Sequence, residues 1–578
     1  MRNSKKMKKL IQILSLSSLA FVGLTSCESD TTILNVDPKN PVIVPSINVL
    51  TTASYYLANQ HVSPSVNENI TRFFTQQWTE TTYTGETNYY FDQRNQNQFH
   101  FNNMFREVIG PLSRAKGYVA NETEDLAYSP AEVAKIKANK VAIMEILSVF
   151  AWANLVDTYG DIPYSEALKY QTGDLNLQPK YDDAATIYAD LEARINAAIA
   201  SVSVDMPSYY NEAGGQVDQF YPSAYNMENW IKVANTIKLQ MGLNLADVNP
   251  SKAKVLVESA YAGGVITSSN ALQFLFDNGQ FSNPVYQNLV ASGRNDFLPS
   301  NIYVNFLKAN SDPRRIYYFG ENLNRNLGTV SETTGAGLQT ITFEENIPAA
   351  AIPVVGQAIF INDNGSGLAD DSYIGKVTVV GTNSVTIATA PGAKSVSVGQ
   401  VINAENYVGG TYGTLNTYGN FTRVTDKIKE STAPGVIFND VDVKFMLAEA
   451  AARGFAVGGS ASSYYTSAVT ASMNEWGVND GEIALYLAAH PYDASNWKKS
   501  IGEEAWVAMY NRGIEAWNFW RRLDYPVLNN APTAEFGLVR RMPYPLNERN
   551  NNAANVAAAA AKINGGDKYS SKVFWDVN

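Results

Sequence analysis

The sequence predicts a mostly α-helical protein, a tetratricopeptide-like helical scaffold with a small β-rich insertion. Three observations predict it. Apolar stripes at helical spacing recur along most of the chain, the helices come in pairs joined by short Gly/Pro turns, and residues 335–406 switch to the two-residue alternation of strands. No strict 34-residue consensus recurs, so the helical repeats are degenerate.

Residues 131–158 carry the clearest helical pattern. Pro130 precedes it, Ile143, Ile146, Leu147 and Phe150 form one stripe, and Val149, Trp152 and Val156 fill the other faces. Such a helix is predicted to be buried nearly all round. Tyr159-Gly160-Asp161-Ile162-Pro163 stops it, with Asp157 and Asp161 read as a helix terminus and a turn stabiliser. Residues 183–200 repeat the pattern at Ile187, Leu191 and Ile195, and residues 227–248 at Trp230, Val233, Ile237 and Met241. Helices return at 439–454 and at 503–522, the second carrying Trp506, Tyr510, Trp517 and Trp520. An irregular stretch, Arg540 to Pro545, precedes an Ala-rich helix at 553–561.

The insertion reads as strands at Ala358–Ile361, Lys376–Val380, Ser384–Thr389 and Gly399–Ile402, forming a barrel or sandwich. Val355-Gly356-Gln357 and Val398-Gly399-Gln400 echo one another, each leading into a strand. Asp363, Asn364, Asp370 and Asp371 lack the spacing of a calcium loop and are read as solvated turn residues. The helical body is thereby divided into residues 46–334 and 407–578.

The amino terminus sets the compartment. Arg2, Lys5, Lys6, Lys8 and Lys9 precede an apolar run from Leu10 to Gly23, the pattern of a secretory signal over 1–26. It ends in Leu24-Thr25-Ser26-Cys27, which resembles a bacterial lipobox; the resemblance implies cleavage before Cys27 and acylation of it. Residues 27–45 are polar and Pro-punctuated, as a tether from a lipid anchor would be. Acidic Glu28 and Asp30 resemble the export signals of some outer-membrane lipoproteins, placing the protein on the cell exterior. Cys27 is the only cysteine, so no disulfide forms within the chain.

Losing residues 1–26 removes five basic groups and no acidic one, taking the formal charge from −11 to −16. An acidic surface disfavours nucleic acid. No catalytic constellation stands out. His61, His100 and His490 lie far apart without metal-ligand spacing, so neither a metal nor a cofactor is expected. Gly335-Ala336-Gly337 lacks the third glycine of a dinucleotide fingerprint, and Ser495-Asn496-Trp497-Lys498 matches S-x-x-K without the partner motifs of penicillin-recognising enzymes. The 55 acidic residues leave a glycosidase pair open.

The unusual feature is aromatic content, 33 Tyr, 24 Phe and 9 Trp. Between Thr79 and Gln98 aromatics mix with Thr, Gln, Asn and Gly without helical period, which reads as a long loop. Trp78, Tyr83, Asn88, Tyr89, Tyr90, Phe91 and Arg94 are the candidate ligand platform, because aromatic faces stack on sugar C–H surfaces while amide and guanidinium edges bond hydroxyls. Packing of the same rings onto the helical body is the competing reading.

Seven motifs occur in a set order: the lipobox, Asp157-Thr158-Tyr159-Gly160-Asp161-Ile162-Pro163-Tyr164-Ser165-Glu166-Ala167, Trp230 to Leu239, Asp312-Pro313-Arg314, Tyr407-Val408-Gly409-Gly410, Ala448-Glu449-Ala450 and Arg541-Met542-Pro543-Tyr544-Pro545. Together they resemble the SusD/RagB family of outer-membrane nutrient-binding lipoproteins, nearest the SusD-like subgroup with a W-x-x-x-A-N signature, across 27–578. The resemblance implies a SusC-like TonB-dependent transporter as partner. It also implies capture of an oligosaccharide, or in some members a peptide, without turnover, and the motifs themselves are read as structural. The β insertion and Gln240-Met241-Gly242 depart from the family pattern. A surface glycan adhesin using the insertion remains an alternative reading.

Overall fold

The computed structural model describes residues 44–124, 127–169, 176–210, 218–222, 225–320, 325–363 and 372–577. Cys27, the signal over 1–26, most of the 27–45 tether, and Asn364, Asp370 and Asp371 lie outside the described residues.

Helices α1 (Ser46–Val62), α2 (Gly110–Val119), α3 (Pro130–Tyr159), α4 (Ala184–Ser201), α5 (Met227–Asn244) and α6 (Pro250–Ala262) each pack on the next in the chain. The scaffold continues through α7 (Asp440–Ala452), which contacts α5 and pairs with α8 (Ala461–Trp476). Then follow α9 (Asp480–Ala489), α10 (Trp497–Ala508), α11 (Gly513–Leu523) and α12 (Ala553–Ala560). The stacked pairs are the tetratricopeptide-like arrangement expected from the apolar stripes.

Helix α3 begins in a capping box: the Ser129 hydroxyl accepts from the Glu132 amide, and the Glu132 carboxylate accepts from the Ser129 amide. From Ala142 to Tyr159 only Glu145 is not buried. Among the described residues α3 is also the one helix long and apolar enough to cross a membrane, but here its faces are covered by neighbouring helices.

Its C-terminal carbonyls need donors, and two buried arginines from distant segments supply them. Arg521 in α11 donates to the carbonyls of Asp157 and Arg540, with its guanidinium 3.6 Å from the Trp517 ring centroid and 4.7 Å from that of Trp575. Arg541 donates to the Tyr159 carbonyl at 2.8 Å and pairs with Asp567. The Met542 amide donates to the Thr158 carbonyl (2.9 Å), and the Tyr159 hydroxyl donates to the Asn97 carbonyl (2.6 Å). The Asp157 carboxylate accepts from Tyr188, Trp575 and Asn244, while Asp161 accepts from the Ala184 amide at the start of α4 (2.9 Å). The Asp157–Ala167 and Arg541–Pro545 motifs, remote in the chain, are thus one joint.

The β-rich part is a closed six-stranded antiparallel barrel: β1 (Arg325–Thr334), β2 (Leu338–Phe343), β3 (Ala358–Ile361), β4 (Ser372–Val380), β5 (Ser384–Thr389) and β6 (Val401–Ala404). The strand order is β5-β2-β1-β6-β3-β4, with β4 returning to β5. Leu327, Ile341, Ile359, Ile374, Val385 and Ile387 have no exposed surface and fill its centre. β1 and β2 escape a sequence reading because Thr, Ser, Glu and Gly interrupt their apolar alternation, and β1 lies before residue 335. Gly335-Ala336-Gly337 is the hairpin turn between them; a Cβ on Gly335 would stand 2.4 Å from the Leu338 carbonyl oxygen. The echoed tripeptides are one turn used twice. Gly356 and Gly399 have φ of +91° and +87°, and the Gln357 and Gln400 side chains accept from the amides of Val354 and Ser397.

The barrel is tied to the helices by charge. Arg315 makes two 2.8 Å bonds to Glu405 just after β6, and Glu405 also accepts from the Ala358 amide. Beside it Arg314 binds Asp312, Glu504 and Ser472. From the outer face, Tyr373 and Lys376 of β4 reach Glu482 of α9 at 2.6 and 3.5 Å.

Two local expectations are corrected. The helix predicted at 503–522 is two helices, because Asn511 takes φ +63° and the chain turns between Met509 and Arg512. Thr79–Gln98 is not one loop: it contributes to the strand Trp78–Glu80 and contains the helix Phe91–Arg94, and a further helix, Gln96–Asn103, begins near its end. The strand's partner, Phe297–Pro299, is remote in sequence, so no local period announces it. The S-x-x-K match is a turn in which Asp493 accepts from the amide and hydroxyl of Ser495.

Replacing Arg541 by Met strands the Tyr159 carbonyl and Asp567. The expected cost is about 3 kcal/mol, read as a lower urea midpoint with the slope unchanged.

Candidate functional site

The predicted platform divides into two classes. Trp78, Asn88, Tyr89 and Phe91 are buried, so they present no platform to solvent. Trp78 lies under Arg72 and beside Phe297 and Tyr510. Tyr89 and Phe91 pack edge-on against Phe74 and Tyr569. Asn88 ties three segments together, donating to the Thr84 and Gly413 carbonyls and accepting from the Thr533 amide. These four are corrected to structural residues: a segment this apolar folds inward when a helical body is there to receive it.

Tyr83, Tyr90 and Arg94 stay at the surface. Tyr83 is 57% exposed, and the Arg94 guanidinium stacks over its ring at 5.6 Å. Arg94 is held from beneath by the buried Glu86, which also accepts from Gln96. Tyr90 is 38% exposed and donates to the Thr533 carbonyl at 3.0 Å.

Strand pairing brings in residues that local sequence does not connect. Trp78–Glu80 runs antiparallel to Phe297–Pro299, and the Thr81 amide and hydroxyl donate to the Asp296 and Asn295 carbonyls. That register carries the loop 294–296 to Tyr83. The result is a small cleft of about 120 Å³ lined by Glu80, Tyr83, Arg94, Asn288, Arg294 and Asp296. Arg294 and Asp296 are visible in the sequence only as a polar loop; nothing local links them to Tyr83. On the other side of the segment a cleft of about 210 Å³ lies between Tyr90, Asp92, Phe536 and Arg549. Tyr83 and Tyr90 therefore face different clefts rather than forming one continuous platform.

A buried carboxyl, Glu80, lines the first cleft. Burial, then the Glu86 carboxylate beside it, push the Glu80 carboxyl up to about 9, against the opposing hydrogen bonds from Thr87. Glu80 is therefore protonated at neutral pH, and Glu86 lies between it and the Arg94 guanidinium, which it contacts. The arrangement offers an aromatic face, a positioned guanidinium and amide and carboxylate edges. Among the described residues no cluster of His, Cys, Asp and Glu could hold a metal ion.

The raised Glu80 carboxyl has a defined pH consequence. Its unfolded form titrates near 4.5, so the stability it contributes is present below that pH and is lost as pH rises towards 9. Glu80→Gln keeps the donor and removes the titration. Urea unfolding is expected to show the variant gaining on the natural protein between pH 5 and 8.5; a constant difference would contradict the assignment.

The comparisons with known proteins agree with this architecture. The SusD-like_2 family model, described as starch-binding and associating with the outer membrane, matches residues 38–351 and 393–545. The unmatched residues between carry β3, β4 and β5, one contiguous half of the barrel wall. No curated protein matches the sequence significantly. The fold is similar to that of a chitin-binding protein (TM-score 0.65, 20% identity, covering 92% of this chain and 100% of the other). It is also similar to a SusD homologue from Bacteroides uniformis (0.63, 22%, 92% and 99%) and a chitin-binding SusD homologue from Flavobacterium johnsoniae (0.61, 19%, 92% and 98%). With most of its length matched by the family model and the same fold seen in these relatives, the chain belongs to the SusD-like family.

Proposed function

We propose that this protein is a cell-surface lipoprotein of the outer membrane that captures an oligosaccharide and passes it to a SusC-like TonB-dependent transporter without cleaving it. The mature chain then begins at the acylated Cys27, with residues 27–45 as its tether. The observation that carries the reading is the Tyr83–Arg94 stack at the cleft rim. An exposed ring with a guanidinium fixed against it by a buried carboxylate is preorganised to take a sugar ring and its hydroxyls. The outer-membrane description of the family and the chitin-binding relatives support the compartment and the ligand class. The barrel centre is filled with aliphatic side chains, which supports placing capture on the helical body rather than in the insertion. Tethering beside a transporter raises effective ligand concentration, so modest affinity suffices.

Calorimetry against glucose and N-acetylglucosamine oligomers tests the site. Tyr83→Ala and Arg94→Ala are each expected to weaken binding about tenfold, some 1.4 kcal/mol, with no release of reducing ends by either form. Unchanged affinity in both variants would remove the site, and turnover of the oligomer by the natural protein would remove the non-catalytic reading. Cys27→Ser is expected to move the protein from the membrane to the soluble fraction and abolish palmitate labelling.

A further inference from the structure

The two clefts beside Tyr83 and Tyr90 are each too small for an oligosaccharide. Their volumes, about 120 and 210 Å³, fall below the ~300 Å³ at which pockets begin to hold a whole small ligand. The second cleft is nonetheless built like the first, with exposed aromatic rings over a buried layer. Tyr90 and Phe536 are 38% and 39% exposed. The buried Tyr569, also in the lining, packs 5.4 Å from the Phe536 ring centroid, and its hydroxyl accepts from the Phe536 amide at 2.7 Å. The Tyr90 hydroxyl, donating to the Thr533 carbonyl, ties that loop to the turn after Tyr83.

Charge in the second cleft is largely matched from within. Asp92 pairs with Arg549 and Asp567 with Arg541, the Lys568 ammonium lies 4.7 Å from the Phe536 centroid, and Glu535 stands in solvent. The first cleft is matched in the same way, Arg94 with Glu86 and Arg294 with Asp296. Exposed rings among matched charges favour an uncharged unit with an apolar face, which is the chemistry of a neutral sugar ring.

Only a low ridge separates the clefts. Residues 84–90 form a compact turn in which the Asn88 amide donates to the Thr84 carbonyl (3.2 Å) and the Tyr90 amide to the Gly85 carbonyl (2.9 Å). Tyr83 and Tyr90 flank that turn, and the residues after it divide likewise, Asp92 and Gln93 lining one cleft and Arg94 the other. At the crest Gly85 carries no side chain. A Cβ there would meet only Gln93 Oε1, at 3.7 Å, so the space above it is open.

We propose that the two clefts are subsites for a single extended glycan, which passes over Gly85 and Gln93 and sets one unit against Tyr83 and another against Tyr90 and Phe536. The proposal rests on glycan capture at the Tyr83 cleft and adds a selection for length. Once one unit is seated, the next subsite is filled at the raised effective concentration set by the short stretch of chain between them. Neither cleft alone holds a short oligomer firmly, so affinity grows with the reach of the ligand.

Calorimetry of the full mature protein with disaccharides and hexasaccharides of glucose and of N-acetylglucosamine tests it. The hexasaccharide of the series that binds is expected to be at least about tenfold tighter than its disaccharide. Phe536→Ala is expected to weaken the hexasaccharide about tenfold, and the disaccharide less. Gly85→Leu puts a side chain on the ridge, where backbone and space both accept one. It is expected to bring the hexasaccharide down to the affinity of the disaccharide, whose own binding stays unchanged. Equal affinity for both lengths, or a hexasaccharide indifferent to Phe536→Ala and Gly85→Leu while Tyr83→Ala still weakens it, would overturn this proposal alone. No binding of any oligomer would overturn it together with glycan capture.

Discussion

The fold depends on closing the buried end of one long helix. Carbonyls at the C-terminus of α3 lie where water does not reach, and an unmet carbonyl there is costly. Arg521 and Arg541, with the Met542 amide, meet them from segments almost four hundred residues downstream, judged by sequence position. Each guanidinium is itself buried and lies over an aromatic ring, Arg521 against Trp517 and Arg541 against Tyr544, with Arg541 also paired with Asp567. This explains why a tyrosine-glycine-aspartate turn and a late arginine-methionine-proline stretch mark the same chain: they are two halves of one contact.

The same device recurs where the barrel enters the helical body. Arg314 and Arg315, adjacent in sequence, send their side chains to different partners, one into the helices at Glu504 and one to the barrel exit at Glu405. Arginine suits this task because its planar fork makes several directed bonds at once and stays protonated when buried. A barrel with a dry aliphatic centre is thus anchored by ionic contacts at its base and by Glu482 on its flank.

The proposed binding surface follows from what that framework leaves outside. Four of the seven candidate platform residues go inward, the three rings because the helical body offers Phe74, Tyr569 and Tyr510 as partners and Asn88 because backbone groups there meet its amide. Tyr83 remains outside on a turn after the short strand, and the buried Glu86 fixes Arg94 over it. The buried layer holds the turn that carries the proposed site, with Glu86 beneath Arg94.

The sequence by itself determined the helical stripes, the buried character of α3, four of the six barrel strands and the order of the motifs, because these rest on periods of 3.6 and 2 residues read over short windows. It also held the turn logic, since a repeated Gly-Gln pair acts within a four-residue turn, Val354–Gln357 and Ser397–Gln400. Only the tertiary structure decided which aromatic rings face solvent, that Tyr83 and Tyr90 line separate clefts, and that Arg294 and Asp296 stand beside Tyr83. Burial of a ring depends on surfaces contributed by remote segments. The pairing of Trp78–Glu80 with Phe297–Pro299 leaves no periodic trace in either stretch.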